Sequence, residues 1–209
     1  QTFEILYKKL DSLYLLENFS GCLNLEPAIV PLIGARQDTL VANTLFYIGD
    51  SYRNDFKIEV ALTYFLRERD LRKSLLPVDP EGYSNSLYNL MHTYDQEGNV
   101  RAAVEAGRAI IEFDEQYYGV ESEQYVYSMG DFVDLLLQID RWQAAEQILK
   151  EGGSKISKSS RFSGLVEAKL GYVYTYTGLF GKATNCFTNS IPAIEQHYGE
   201  TSKEYQLTL

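Results

Sequence analysis

The chain is poor in the residues that most often carry chemistry. Its 209 residues include 2 histidines, 2 cysteines, 2 methionines, 1 tryptophan and 5 prolines. Cys22 and Cys186 are too few and too far apart for a disulfide framework or a metal knuckle, and they read as small buried hydrophobes. His92 and His197 lie outside metal-ligand spacing of each other and of either cysteine, so no metal or cofactor is expected. His92, near Asp95, reads as a solvated or hydrogen-bonded side chain. Long apolar runs are also missing. The longest, from Ala28 to Ala35, is interrupted by Pro31, which excludes a membrane-spanning helix. Positive charge is in deficit, with 19 basic against 29 acidic side chains and a formal net charge of −10. A nucleic-acid partner needs a basic footprint to neutralise phosphates, so none is expected.

What is present is a large apolar fraction, 45% of residues, together with 17 tyrosines. That much aliphatic and aromatic surface must be buried, which excludes a disordered chain. Two local basic runs occur: Arg67, Arg69, Arg72 and Lys73, and a looser set of Lys150, Lys155, Lys158 and Arg161. Both fall at or just past expected helix C-termini, where cations suit the helix dipole, and read as solvated charge. Gly152-Gly153-Ser154-Lys155 has neither the spacing nor the preceding strand of a phosphate loop, and reads as a flexible connector. No nucleophile elbow or dinucleotide fingerprint occurs, and the many carboxylates read as acidic helix surface. Enzyme activity is not expected.

Four segments align at a regular period. They begin at Ala42, Ser84, Val126 and Gly164, and are 42, 42 and 38 residues apart. The first carries Leu45, Ile48-Gly49, Tyr52, Ala61 and Phe65; the second Leu87, Leu90-Met91, Tyr94, Gly98 and Ala103. The third carries Met129, Phe132-Val133, Leu136, Asp140, Trp142, Ala145 and Leu149; the fourth Leu170-Gly171, Tyr174, Gly178, Phe180, Ala183 and Phe187. An independent register agrees: Tyr118-Gly119-x-x-Ser122-x-x-Tyr125 recurs as Tyr198-Gly199-x-x-Ser202-x-x-Tyr205. A fifth unit is therefore expected from Gln206, cut short at Leu209. Each unit reads as two helices, with Gly49, Gly171 and the recurring alanines allowing close approach and the aromatics filling the space beside them. Asp79 before Pro80, and Ser122 and Ser202 after glycines, read as helix caps.

The Leu-Gly-x-x-Tyr…Gly…Ala…Phe pattern at Leu170, Gly171, Tyr174, Gly178, Ala183 and Phe187 resembles the tetratricopeptide repeat (TPR) family. The resemblance covers residues 42 to about 197. The second unit departs from it with Met91 and Gly107, and the third with Val133 and Leu136. Units of about 42 residues exceed the family's usual 34 or so and resemble the longer-helix variants of kinesin light chains. The resemblance implies an all-α, right-handed superhelix of antiparallel helix pairs. Residues 42–205 would hold four repeats, residues 1–41 a degenerate capping pair in which Pro27 suits a helix start, and residues 206–209 a truncated fifth.

In such an array the first helices of successive units share a concave face. Positions two, five, nine and twelve or thirteen of each fall on one stripe. These are Asn43, Phe46, Asp50 and Arg53; Asn85, Tyr88, His92 and Asp95; Tyr127, Gly130, Asp134 and Leu137; and Leu165, Ala168, Tyr172, Thr175 and Tyr176. The candidate groove residues are Asn43, Phe46, Asp50, Asn85, Tyr88, His92, Asp95, Tyr127, Asp134, Tyr172 and Tyr176. Their mixture of aromatic, amide and acid groups suits an extended or helical peptide with basic and aromatic residues. The asparagine and lysine clamp that some relatives use for a terminal carboxylate is absent. A solvated surface, or contact with the array's own N-terminal pair, is the plainer reading of the same stripe. The resemblance implies a non-enzymatic protein-interaction scaffold. The alternative is a sensory or regulatory segment of a larger signalling or transcription-regulating protein, which the truncated fifth unit motivates. Self-association is left open, and the default compartment is cytoplasmic.

Overall fold

A computed structural model of the chain describes residues 2–199 and 201–202; these contain ten α-helices and no strand. The expected fifth unit from Gln206, and Tyr205 before it, lie outside the described residues. The chain divides into two compact units, residues 1–106 and 107–209. The first holds α1 (Phe3–Leu15), α2 (Phe19–Ile29), a 3-10 turn (Val30–Leu32), α3 (Thr39–Asn54), α4 (Ile58–Ser74) and α5 (Pro80–Glu97). The division falls within α6 (Val100–Tyr117). The second unit continues with α7 (Glu123–Gln138), α8 (Trp142–Lys155), α9 (Ser163–Tyr176) and α10 (Phe180–Tyr198).

The helices come in pairs joined by very short connections. In each connection one residue adopts a left-handed φ: Glu17 (55°), Phe56 (59°), Gly98 (81°), Asp140 (58°) and Gly178 (74°). These positions are 39, 42, 42 and 38 residues apart. The amide of the following residue then donates to a carbonyl five residues back. Asn18 reaches Leu13 at 2.9 Å, Lys57 reaches Tyr52 at 2.9 Å, and Asn99 reaches Tyr94 at 2.8 Å. Arg141 reaches Leu136 at 2.7 Å and Leu179 reaches Tyr174 at 2.8 Å. This is the Schellman end, which satisfies an orphan carbonyl of the first helix while turning the chain back.

Helix starts follow side-chain chemistry. Asp38 accepts from the Val41 amide at 3.0 Å, and Asp79, followed by Pro80, accepts from Gly82 at 3.1 Å. Ser122 accepts from Tyr125 at 3.2 Å. The expected caps at Asp79 and Ser122 are thus observed. Pro27 is a correction: it lies inside α2, which starts instead at Asn18, whose side chain accepts from Gly21 at 2.9 Å. Proline cannot donate to the carbonyl four residues back, and α2 gives way at Ile29 to the 3-10 turn.

In the first unit Leu6, Leu10, Cys22, Ile29, Leu45 and Ile48 form one buried cluster, and Ala61, Leu62, Phe65 and Leu90 a second. In the second unit Tyr174, Ala183 and Cys186 pack with Leu170 and Phe187. Both cysteines are free and buried, as their sequence context implied. The pairing of small residue with aromatic is also observed: a Cβ on Gly171 would lie 2.7 Å from the Phe187 ring, and one on Gly49 3.0 Å from Phe65. Gly107, where the period lacks an aromatic, is filled from another helix. A Cβ there would meet the Phe132 ring at 2.2 Å.

Phe56 is 90% exposed, so no burial offsets its left-handed backbone. Phe56→Gly should raise the unfolding free energy by about 1 kcal/mol, and Gly98→Ala at the corresponding turn should lower it by about as much. Urea denaturation followed by circular dichroism reads both. Equal losses in the two variants would contradict this account of the turns.

Candidate interaction site

In the first unit the predicted stripe residues divide between α3 and α5, and two cavities open between these helices. One, of about 390 Å³, is walled by Asn43, Phe46, Asn85 and Tyr88 together with Glu68, Arg72 and Asp79. The other, of about 420 Å³, is walled by Arg53, Phe56, Tyr88, His92 and Gln96. Tyr88, 38% exposed, borders both.

Much of the α3 stripe is engaged by α1. The Asn43 amide donates to the Tyr7 hydroxyl at 3.2 Å, and Tyr14 donates to Asp50 Oδ2 at 2.8 Å. Tyr14 also meets the Phe46 ring edge-on, with centroids 5.5 Å apart. Asp50 is only 5% exposed and is paired as well with Arg53. Its charge is therefore spent inside the fold. Burial first, then the neighbouring Asp50, pushes the Tyr14 hydroxyl well above the usual phenol range.

Beneath the first cavity lies a cluster that the stripe did not include. Arg72, 7% exposed, donates through Nε to Glu68 Oε1 at 2.7 Å, through Nη2 to Asn43 Oδ1 at 2.9 Å, and through Nη1 to Asp79. Gly82 makes room for it, because a Cβ there would lie 2.3 Å from Arg72 Nη1. The basic run at 67–73 is thus a correction. Arg72 and Lys73 do occupy the last turn of α4, but Arg72 is buried and held by three partners rather than solvated. Glu68 is 1% exposed, and burial pushes its carboxyl up to about 7 although Arg72 acts in the opposite direction. Its Oε2 has no hydrogen-bond partner. The signal for this pair was the Glu68-x-x-x-Arg72 spacing, which places both side chains on one face of a helix.

His92 is half-buried, packs edge-on to Tyr88 with centroids 4.4 Å apart, and leaves Nε2 buried without a hydrogen bond. It is neither solvated nor hydrogen-bonded through that nitrogen, contrary to expectation. Burial first and Arg53 second hold it below the usual histidine range, while Asp95, half-buried on the same helix, acts against both.

In the second unit Tyr127 and Asp134 on α7, and Tyr172 and Tyr176 on α9, are all exposed. Asp134 pairs with Lys169 of α9 at 2.7 Å, a partner the stripe did not include. Tyr172 meets Phe187 edge-on at 5.4 Å, and Tyr176 donates to Asp140 Oδ1 at 3.4 Å.

No protein-family model and no curated protein sequence matches the chain. Solved structures do. A Podosopora anserina protein described as a kinesin light chain with nearly identical TPR-like repeats superposes with a TM-score of 0.71 at 11% identity, over 93% of this chain and 96% of that one. The apo form of RapI gives 0.70 at 11% identity, over 93% and 70%. BtubC (BKLC) from P. vanneervenii gives 0.60 at 15% identity, over 100% and 80%. The chain has a TPR-like helical-repeat fold.

Within this TPR-like fold, no group of three or more His, Cys, Asp or Glu among the described residues is placed to hold a metal ion. No described helix is long and apolar enough to cross a membrane. The groups that wall the two cavities are aromatic edges, amides and one buried carboxyl, Glu68, whose Oε2 has no hydrogen-bond partner. That carboxyl also carries a pH signature. Its folded value, about 7, lies above the ordinary 4.5, so the folded chain holds a proton that the unfolded chain releases. The resulting stabilisation is complete below about 4.5 and is lost as pH rises through about 7. From pH 5 to 8 the urea midpoint of the native chain should fall more steeply than that of Glu68→Gln. Parallel profiles would contradict the assignment.

Proposed function

We propose that the chain is a non-enzymatic protein-interaction module that takes a peptide segment of a partner, extended or helical, against the α3–α5 face. The observation that carries this reading is the pair of cavities, about 390 and 420 Å³, on either side of the exposed Tyr88. Each falls within the size range of sites that hold a side chain or small ligand, and each combines aromatic with polar walls. Tyrosine suits such a position, because it offers a large contact area with few rotamers to freeze. Tyr127, Tyr172 and Tyr176 present similar chemistry on α7 and α9, and make that face a second contact surface. The TPR-like fold supports the reading in general terms, since stacked helix pairs display extended faces without a catalytic centre.

Affinity capture on the immobilised intact protein tests it, with bound proteins quantified by mass spectrometry. Tyr88→Ala should cost about 2 kcal/mol of binding, roughly thirtyfold in affinity, for the principal captured proteins. Tyr117→Ala, at an exposed tyrosine of α6 that lines neither cavity, should leave capture unchanged. An identical captured set after Tyr88→Ala and Tyr172→Ala together would remove the reading.

A further inference from the structure

We propose that the cavity walled by Glu68 is a cation subsite, which takes the guanidinium or ammonium group of an arginine or lysine side chain supplied by the partner. The proposal rests on the interaction-module reading and assigns the chemistry of one of its two cavities.

Hydrogen-bond capacity sets the direction. All three nitrogens of Arg72 are committed, Nε to Glu68, Nη2 to Asn43 and Nη1 to Asp79. Asp79 spends one oxygen on Arg72 and the other on the Gly82 amide. Glu68 spends Oε1 on Arg72, and Oε2 is left, buried and without a donor. Among the side-chain polar atoms of Glu68, Arg72 and Asp79, Oε2 is the one with no partner at all, and in the ionised carboxylate it accepts, so its complement is a donor.

Charge sets the sign. Once Glu68 is ionised, above about pH 7, Glu68, Asp79 and Glu81 stand on the cavity wall against a single base, Arg72, which leaves a formal excess of two negative charges. An entering carboxylate or phosphate would meet that excess at short range, whereas a cation would offset it. A donor that is also a cation satisfies both conditions, and a charge-assisted bond to a buried carboxylate is the stronger kind. The aromatic side of the wall fits the rest of such a side chain. Phe46 and Tyr88 offer ring surface to an aliphatic stem or to the cation itself.

The test uses n-butylguanidinium and its neutral isostere n-butylurea, each titrated into the intact protein at pH 8, where Glu68 is ionised. Binding is read from the backbone amide resonances of Gly82, Asn85 and Asn89. The cation should shift these amides and bind about tenfold more tightly than the urea. Glu68→Gln should bring the two probes to the same affinity. Because that change also alters the Arg72 cluster, Asn85→Trp serves as a second variant. Asn85 is exposed at the cavity wall, so the tryptophan should abolish the response to the cation while circular dichroism stays native. Equal affinity of the two probes in the native chain, absence of shifts, or a preference that survives Glu68→Gln would each overturn the proposal. Tyr88-dependent capture would stand in all three cases, so the subsite can fail while the interaction reading survives. A guanidinium preference combined with capture indifferent to Tyr88 would do the reverse.

Discussion

One backbone bond sets the pattern on which the other contacts depend: the amide that reaches five residues back across a left-handed residue. It occurs at Asn18, Lys57, Asn99, Arg141 and Leu179, always within one helix pair. By ending the first helix at a defined carbonyl it also fixes where the second begins, and hence which residues of the two helices meet. Gly49 against Phe65 and Gly171 against Phe187 are consequences, because each joins a first helix to the second helix of its own pair. Two of the five turns use glycine, which enters the left-handed region without cost. Phe56 does not. The residue in the least favourable of these turns is also a wall of the cavity beside His92, which is where strain retained for a purpose would be expected.

The tyrosines solve a second problem, set by the shortage of bases. With 29 acidic and 19 basic side chains, not every carboxylate drawn into helix contacts can find a cation. Phenol hydroxyls take the place of the missing donors. Tyr47 donates to Asp11 at 2.7 Å, Tyr14 to Asp50 at 2.8 Å, Tyr174 to Glu146 at 2.8 Å, and both Tyr52 and Tyr64 donate to Glu26. Each ring buries apolar surface while its tip satisfies an acid, a combination that lysine provides only with a flexible stem. Four of these bonds join α1 or α2 to α3 or α4, beside the buried cluster of Leu6, Leu10, Cys22, Ile29, Leu45 and Ile48.

How much of this was legible in sequence depended on distance along the chain. The turns, the caps at Asp79 and Ser122, and the glycine–aromatic contacts arise within one unit or at its edge, and the period displays them. The misread charges involve partners on other helices, while Gly152-Gly153-Ser154-Lys155, expected as a flexible connector, instead closes α8. Asp50 belongs to the stripe by spacing, yet Tyr14 covers it from α1, and Asp134 belongs to it while Lys169 takes its charge. A stripe records direction about one helix axis and nothing of what lies opposite. Arg72 looked solvated because its neighbours Arg67 and Lys73 are exposed, but its position on α4 turns it inward toward Asn43 of α3. Pro27 was misplaced for a different reason: Asn18 supplies a stronger start signal nine residues earlier.

These pairings change what net charge means for recognition. A formal −10 spread over the surface would attract any cation weakly and with steep salt dependence. In the folded chain several of those charges are already answered, Asp50 by Arg53 and Tyr14, Asp134 by Lys169, Glu146 by Lys150 and Tyr174. What remains to distinguish one partner from another is local. Glu68 is the case in which burial, a single base and an unused oxygen coincide on a cavity wall. A buried acceptor penalises any occupant that cannot donate to it far more than an exposed carboxylate does, so in the proposed subsite discrimination would come from this group rather than from the surface total. The residue that selects would then lie on a second helix, reached between two first helices, where a stripe-based search has no reason to look.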